Sequence, residues 1–139
     1  MQENPRYDDV VNEVGGYLKE RMDILTAGGI ASGAMAVDPG LGFGKTAEHN
    51  VKLIAHIKKL GEFGRPVVIG LSRKRFLAQI TGRAVNERLA AGLGALAYCL
   101  LNGASVIRVH DVKESRDVFS VLKTILGERR GNADCRNIA

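Results

Sequence analysis

Apolar residues at Val10, Val11, Val14, Leu18, Met22 and Leu25 return every three or four positions and predict a helix over residues 7–27, stopped by the Ala-Gly-Gly run at 27–29. A short apolar run then predicts a strand over 34–38, ending at Asp38. Val51, Ile54, Ile57 and Leu60 share one face of a helix predicted from Thr46 to Leu60, closed by Gly61 and Gly64. The continuous apolar stretch "PVVIGLS" at 66–72 predicts a strand buried on both faces. "RFLAQITG" opens a further helix, and Asn86 is placed to cap an apolar helix that runs to Leu101 and stops at Asn102-Gly103. "ASVIRVHD" gives a third strand over 104–110, and Ser115 to Leu126 a last amphipathic helix. The polar residues 129–139 are expected to form a disordered tail behind a domain covering 1–128. Helices that alternate with short apolar strands mean parallel strands joined by helical crossovers, an α/β fold.

Composition narrows the function. The chain has 139 residues, enough for one domain with a core; 45% are apolar, 5% aromatic, and there are 17 glycines. Packing therefore rests on small apolar side chains. No apolar run is long enough to span a membrane, and the polar start "MQENPRYDD" does not read as a signal peptide. Cys99 and Cys135 make neither a disulfide framework nor a metal site, which suits a reducing cytoplasm. The net charge of +5 admits nucleic acid, but the cations are spread and lack interleaved aromatics. A concentrated basic loop, Ser72 to Arg75, fits a small anionic ligand better, so no nucleic-acid partner is expected.

Each predicted strand ends in polar residues: the first at Asp38, the second at Ser72, Arg73 and Lys74, the third with Arg108, His110 and Asp111. In parallel α/β folds ligands bind at the carboxyl ends of strands. The two-residue period of a strand puts Arg108 and His110 on one face with Val106, and Ile107 and Val109 on the other. Singly, each residue has a plain structural reading: Asp38 as a turn cap, Lys74 and Arg75 as solvated residues of a helix's first turn, Arg108 as an ion-pair partner of Asp111 or Asp38, His110 as a satisfied loop histidine. Jointly they make a site for a heterocycle with N–H donors and an anionic group.

The stretch "DPGLGFGKT" at 38–46 mimics a phosphate-binding loop but has the wrong spacing. Only three residues separate Gly40 from Gly44, where such a loop needs four before its Gly-Lys pair. Pro39 has no N–H to give a phosphate, and the Asp38 carboxylate would repel one.

The segments "DPGLGFGKT", "GLSRKRF" and "IRVHDVKES", in this order, resemble the three C-terminal signature segments of the dihydropteroate synthase family. The resemblance implies an incomplete TIM barrel, the last three of eight parallel strands (34–38, 66–72, 104–110) with Met1 as an internal methionine. It implies condensation of hydroxymethyl-dihydropterin pyrophosphate with p-aminobenzoate to dihydropteroate in folate biosynthesis, with this chain a fragment inactive alone. In that scheme Asp38 accepts from the pterin amino and ring N–H edge. Lys74 donates to the pterin carbonyl edge, Arg108 packs on the pterin face, and Arg108 with His110 holds the pyrophosphate. Gly42 permits close backbone approach, and Phe43 walls the p-aminobenzoate site. Arg75 stands where many relatives have a serine for the p-aminobenzoate carboxylate. The family's magnesium is expected to have its ligand outside this chain, with no metal ligand here, and a homodimer is expected. The alternatives are a non-catalytic pterin- or anion-binding module and a basic RNA-binding α/β domain.

Overall fold

The computed structural model describes residues 5–134. Helix α1 (Val10–Ala27) starts at Asp9, whose Oδ1 accepts from the backbone N–H of Val11 (3.0 Å) and Asn12 (3.1 Å). Helices α2 (Ala47–Ala55) and α3 (Lys58–Gly61) replace the single helix expected over Thr46–Leu60. The break is at His56, whose ring Nδ1 and backbone N–H both bond the Lys52 carbonyl, at 2.9 and 3.1 Å. Sharing one carbonyl loosens the ladder, and three-residue bonds follow, from Ile57 to Ile54 and from Lys59 to His56.

Strand β1 (Val68–Gly70) and strand β2 (Val106–Arg108) form a parallel pair, with Val68 opposite Val106 and Gly70 opposite Arg108. Between and around them run helix α4 (Arg75–Thr81), helix α5 (Leu89–Leu101) and helix α6 (Val112–Asp134). The strand expected at 34–38 contracts to one parallel bridge, Val37 to Val67. Residues Ser32–Ala34 close a 3-10 turn instead, and the N–H of Gly40 turns back to Asp38 Oδ1 (2.8 Å). Pro39 has no donor, so only Val37 is left to pair, giving its N–H to Pro66 and its carbonyl to Val68. The expected strands 66–72 and 104–110 are likewise trimmed to their central residues.

Two further expectations need correction. Asn86 does not cap α5; it lies in a 3-10 turn, Val85–Glu87, and Arg88 precedes the helix without a side-chain cap. The last helix, expected over Ser115–Leu126, is longer at both ends: α6 begins at Val112 and continues through Asp134. An established helix adds residues at little cost. Residues 135–139 of the expected tail lie outside the described residues.

The sheet has two unlike faces. Val37, Val67, Ile69 and Leu71 are buried under the helices, in one core with Leu53, Ile57, Leu60, Phe76, Leu77, Leu96 and Cys99. On the opposite face Ala36, Asp38, Val106, Arg108 and His110 are exposed. The strand at 66–72 is therefore covered mainly from one side. The fold is of the α/β class, with parallel strands joined through helices. No described helix is long and apolar enough to cross a membrane.

Candidate active site

The open face carries its polar groups at the carboxyl ends of the strands. Arg108 lies over Gly70, its register partner: a Cβ at position 70 would meet Arg108 Nη2 at 2.8 Å and Cζ at 3.2 Å. Glycine at the end of β1 thus lets a guanidinium approach the sheet closely. The sequence marks Gly70 only as a glycine in an apolar run, and its role depends on a register that the sequence does not print.

Lys74 comes from the loop after β1. The preceding Arg73 has φ +60°, a left-handed conformation disfavoured for a side chain with a Cβ. Three contacts hold it there. Its guanidinium pairs with Asp111 (Nη2 to Oδ1, 2.6 Å), its carbonyl accepts from Arg88 Nη1 (3.0 Å), and Asp111 also accepts from Ser72 Oγ (3.3 Å). Asp111 thus pairs with Arg73, not with Arg108. The turn sends Lys74 back toward the glycine loop. Its Nζ donates to the Leu41 carbonyl and sits 4.7 Å from the centre of the Phe43 ring. The lysine stem crosses Gly42, where a Cβ would meet Cδ at 2.9 Å. Gly42 also has φ +79°, so both its backbone and its missing side chain are used.

Charge converges on Lys74. Burial draws its pKa below the ordinary lysine value; the Arg108 cation pulls further in the same direction, while Asp38 pushes back and Lys45 adds to the depression. Asp38, Lys74 and Arg108, from three successive strand ends, are therefore within electrostatic reach of one another. His110, two residues beyond Arg108, is exposed, its backbone N–H donating to Ser72 Oγ (3.4 Å). Arg75 opens α4 and is exposed; with Gly42 it lines a neighbouring cavity to which Lys74 and Phe43 do not contribute.

Sequence reasoning missed Asn50. It is the buried polar residue among those described, 1% exposed. Its Oδ1 accepts from the Gly42 N–H (2.7 Å) and its Nδ2 donates to the Thr46 carbonyl (2.6 Å), so one side chain ties the glycine loop to the start of α2. The available signal was an asparagine inside a predicted helix, where it is disfavoured without a specific partner. Tyr7 adds a second tie, donating to the Gly44 carbonyl (3.3 Å) and meeting His49 edge-on at 5.0 Å. His49 in turn completes a capping box with Thr46.

A pterin-binding enzyme family model matches residues 1–110. The chain belongs to the pterin-binding enzyme family. Among curated members of this family, the dihydropteroate synthase of Escherichia coli (strain K12) is 38% identical over 129 residues, covering 93% of this chain and 46% of that protein. A solved dihydropteroate synthase from Xanthomonas albilineans, in complex with 7,8-dihydropteroate, superposes with a TM-score of 0.87 at 40% identity over 91% of this chain and 48% of that one. The same enzyme solved with 4-aminobenzoic acid also gives 0.87, at 40% identity, over 91% of this chain and 47% of that one. The chain thus spans about half the length of these pterin-binding relatives.

Proposed function

We propose that this chain supplies the strand-end half of a dihydropteroate synthase site, in which the amine of p-aminobenzoate displaces pyrophosphate from a hydroxymethyl-dihydropterin pyrophosphate. The observation that carries the reading is the meeting of Asp38, Lys74 and Arg108 on the open face of a parallel sheet. One carboxylate beside two cations suits a ring with an N–H edge and an acceptor edge. Support comes also from the X. albilineans enzyme, whose complexes hold 7,8-dihydropteroate and 4-aminobenzoic acid.

In this reading Asp38 accepts from the pterin amino and ring N–H groups. Its Oδ1 is steadied by Gly40, leaving Oδ2 for the ligand. Lys74 exchanges its bond to the Leu41 carbonyl for the pterin carbonyl edge. Arg108, close over Gly70, offers its plane to the pterin and its N–H groups, with His110, to the pyrophosphate. The C–O bond to pyrophosphate breaks as the amine nitrogen bonds to the methylene carbon, and the amine's surplus proton leaves with solvent. Departure running ahead of attack puts the burden on orientation and on cations facing the leaving group. Phe43, held by Lys74 and the Gly42 turn, forms a wall for the acceptor ring, and Arg75 stands for its carboxylate.

Among the described residues there is no cluster of His, Cys, Asp or Glu able to hold a metal, so the magnesium of this reading would take its ligand from outside this chain. An incomplete barrel, a homodimer through α5 and α6 and a cytoplasmic home belong to the same proposal. The 139-residue chain by itself is expected to show no p-aminobenzoate-dependent pyrophosphate release. Fused behind the portion of the E. coli enzyme that it does not match, it is expected to show such release, reduced about 100-fold or more by Arg108→Ala. A folded chimera with no release, or one indifferent to Arg108→Ala, would refute the reading.

A further inference from the structure

A cavity of about 500 Å3 has Gly42 in its lining but neither Lys74 nor Phe43. Arg6, Lys45 and Arg75 reach it from three separate segments, joined by the amides of Asn50 and Gln79 and the ring of Phe76. Among the described residues no acidic side chain lines it. Lys45 feels the Asp38 carboxylate, but Arg6 and Arg75 leave the lining net positive, which suits an anion. Elsewhere the described cations are often compensated: Lys19, Arg21, Lys52 and Arg73 each meet a carboxylate within 2.9 Å. Among the described residues, Arg6 and Arg75 form no such pair.

Lys45 is fixed rather than free. Its Nζ donates to the carbonyls of Gly40 and Phe43, both at 3.2 Å, and it packs 5.9 Å from the Tyr7 ring centre. Burial holds its pKa below the ordinary value, with Asp38 as the one opposing influence. An anion arriving beside it therefore stabilises a charge the fold already strains to keep.

We propose that this cavity binds a small multivalent oxyanion, a phosphate compound or a polycarboxylate, through Arg6, Lys45 and Arg75. The planar guanidinium fork pairs two-pronged with either oxyanion. A single p-aminobenzoate carboxylate at Arg75 would occupy one edge and leave two cations unmet, so the inference extends the site beyond the proposed acceptor. It stands on the cavity and does not need a pterin to be bound.

The test titrates the 139-residue chain with inorganic pyrophosphate and, separately, with citrate, at constant ionic strength so that general screening is matched. Thermal melting and the NMR signals of the arginine Nε–H groups are followed. Saturable binding of one anion or both is expected, and the better binder decides between phosphate and carboxylate chemistry. Arg75→Ser and Arg6→Gln should each weaken it about tenfold or more, and Asp38→Asn, which removes a negative charge near Lys45, should not weaken it. If a variant does not fold, shifts of the Arg6 and Arg75 Nε–H signals in the unaltered chain locate the anion directly. No saturable response to either probe, or one that both arginine variants keep, would overturn the proposal. Pterin affinity is measured in parallel. Its loss in Asp38→Asn with anion binding intact separates the two sites, so either assignment can fail alone.

Discussion

Asn50 is the residue on which the geometry of the glycine loop depends. Its two hydrogen bonds fix Gly42, and Gly42 is the surface that the Lys74 stem crosses. Asn50→Ala removes two part-buried hydrogen bonds, which costs about 1–3 kcal/mol. Urea unfolding should show that loss, whereas a change below about 0.5 kcal/mol would mean the loop holds its shape without the clamp. The Asp111–Arg73 pair acts at the same scale. The hydrogen bond from Arg73 holds the Asp111 carboxyl below its ordinary value of 3.8, with further help from Ser72 and the nearby charges. A depressed carboxyl stabilises the fold above its unfolded value, and the contribution fades as pH falls through the lower folded value. The stability gap between the unaltered chain and Asp111→Asn should be present at neutral pH and close well below pH 3.8. A gap that persists unchanged at acid pH would show that the charge of Asp111 does not hold the turn.

At the scale of elements, β1 and β2 set the site through their register. Gly70→Ala puts a Cβ 2.8 Å from Arg108 Nη2 and must lift the guanidinium. Pterin affinity is expected to fall about tenfold, with no further loss when the change is made in an Arg108→Ala background. Additive losses would mean that Gly70 matters for another reason. The buried side of α5 offers a check on the core: burial pushes the Cys99 thiol up to about 11. In a Cys135→Ser chain, native Cys99 should react with a thiol reagent far more slowly than in denaturant; equal rates would show that α5 is not docked. Much of this architecture was legible from apolar spacing: α1, α4, α5 and the centres of both paired strands follow from it, while Asp38, Lys74 and Arg108 were singled out as polar residues at strand ends. What escaped depends on competition that spacing does not encode. Asp38 takes the Gly40 N–H and reduces a strand to one bridge, His56 shares a carbonyl and splits a helix, and Arg73 enters a left-handed turn only because Asp111 and Arg88 hold it.

For the whole molecule, the unlike faces of the sheet matter most. One is sealed by helices, while the other leaves Val106 46% exposed among polar strand ends. On α6, Phe119, Val121 and Ile125 are each more than half exposed, and Phe119 lines a mostly apolar groove with Leu100, Leu101, Leu122 and Leu126. Exposed apolar surface beside unpaired strand edges favours association. Light scattering at micromolar concentration should give a mass above 15.0 kDa; a monodisperse monomer with a sharp melt would show that the chain is self-sufficient. The central claim is that the strand ends of Asp38, Lys74 and Arg108 recognise a pterin. The most direct measurement is a fluorescence titration of 6-hydroxymethylpterin into the 139-residue chain and its Asp38→Asn variant, using the pterin's own emission. The account predicts saturable binding by the unaltered chain, weakened about tenfold or more by Asp38→Asn. Equal binding by the two, or none that saturates, would contradict it.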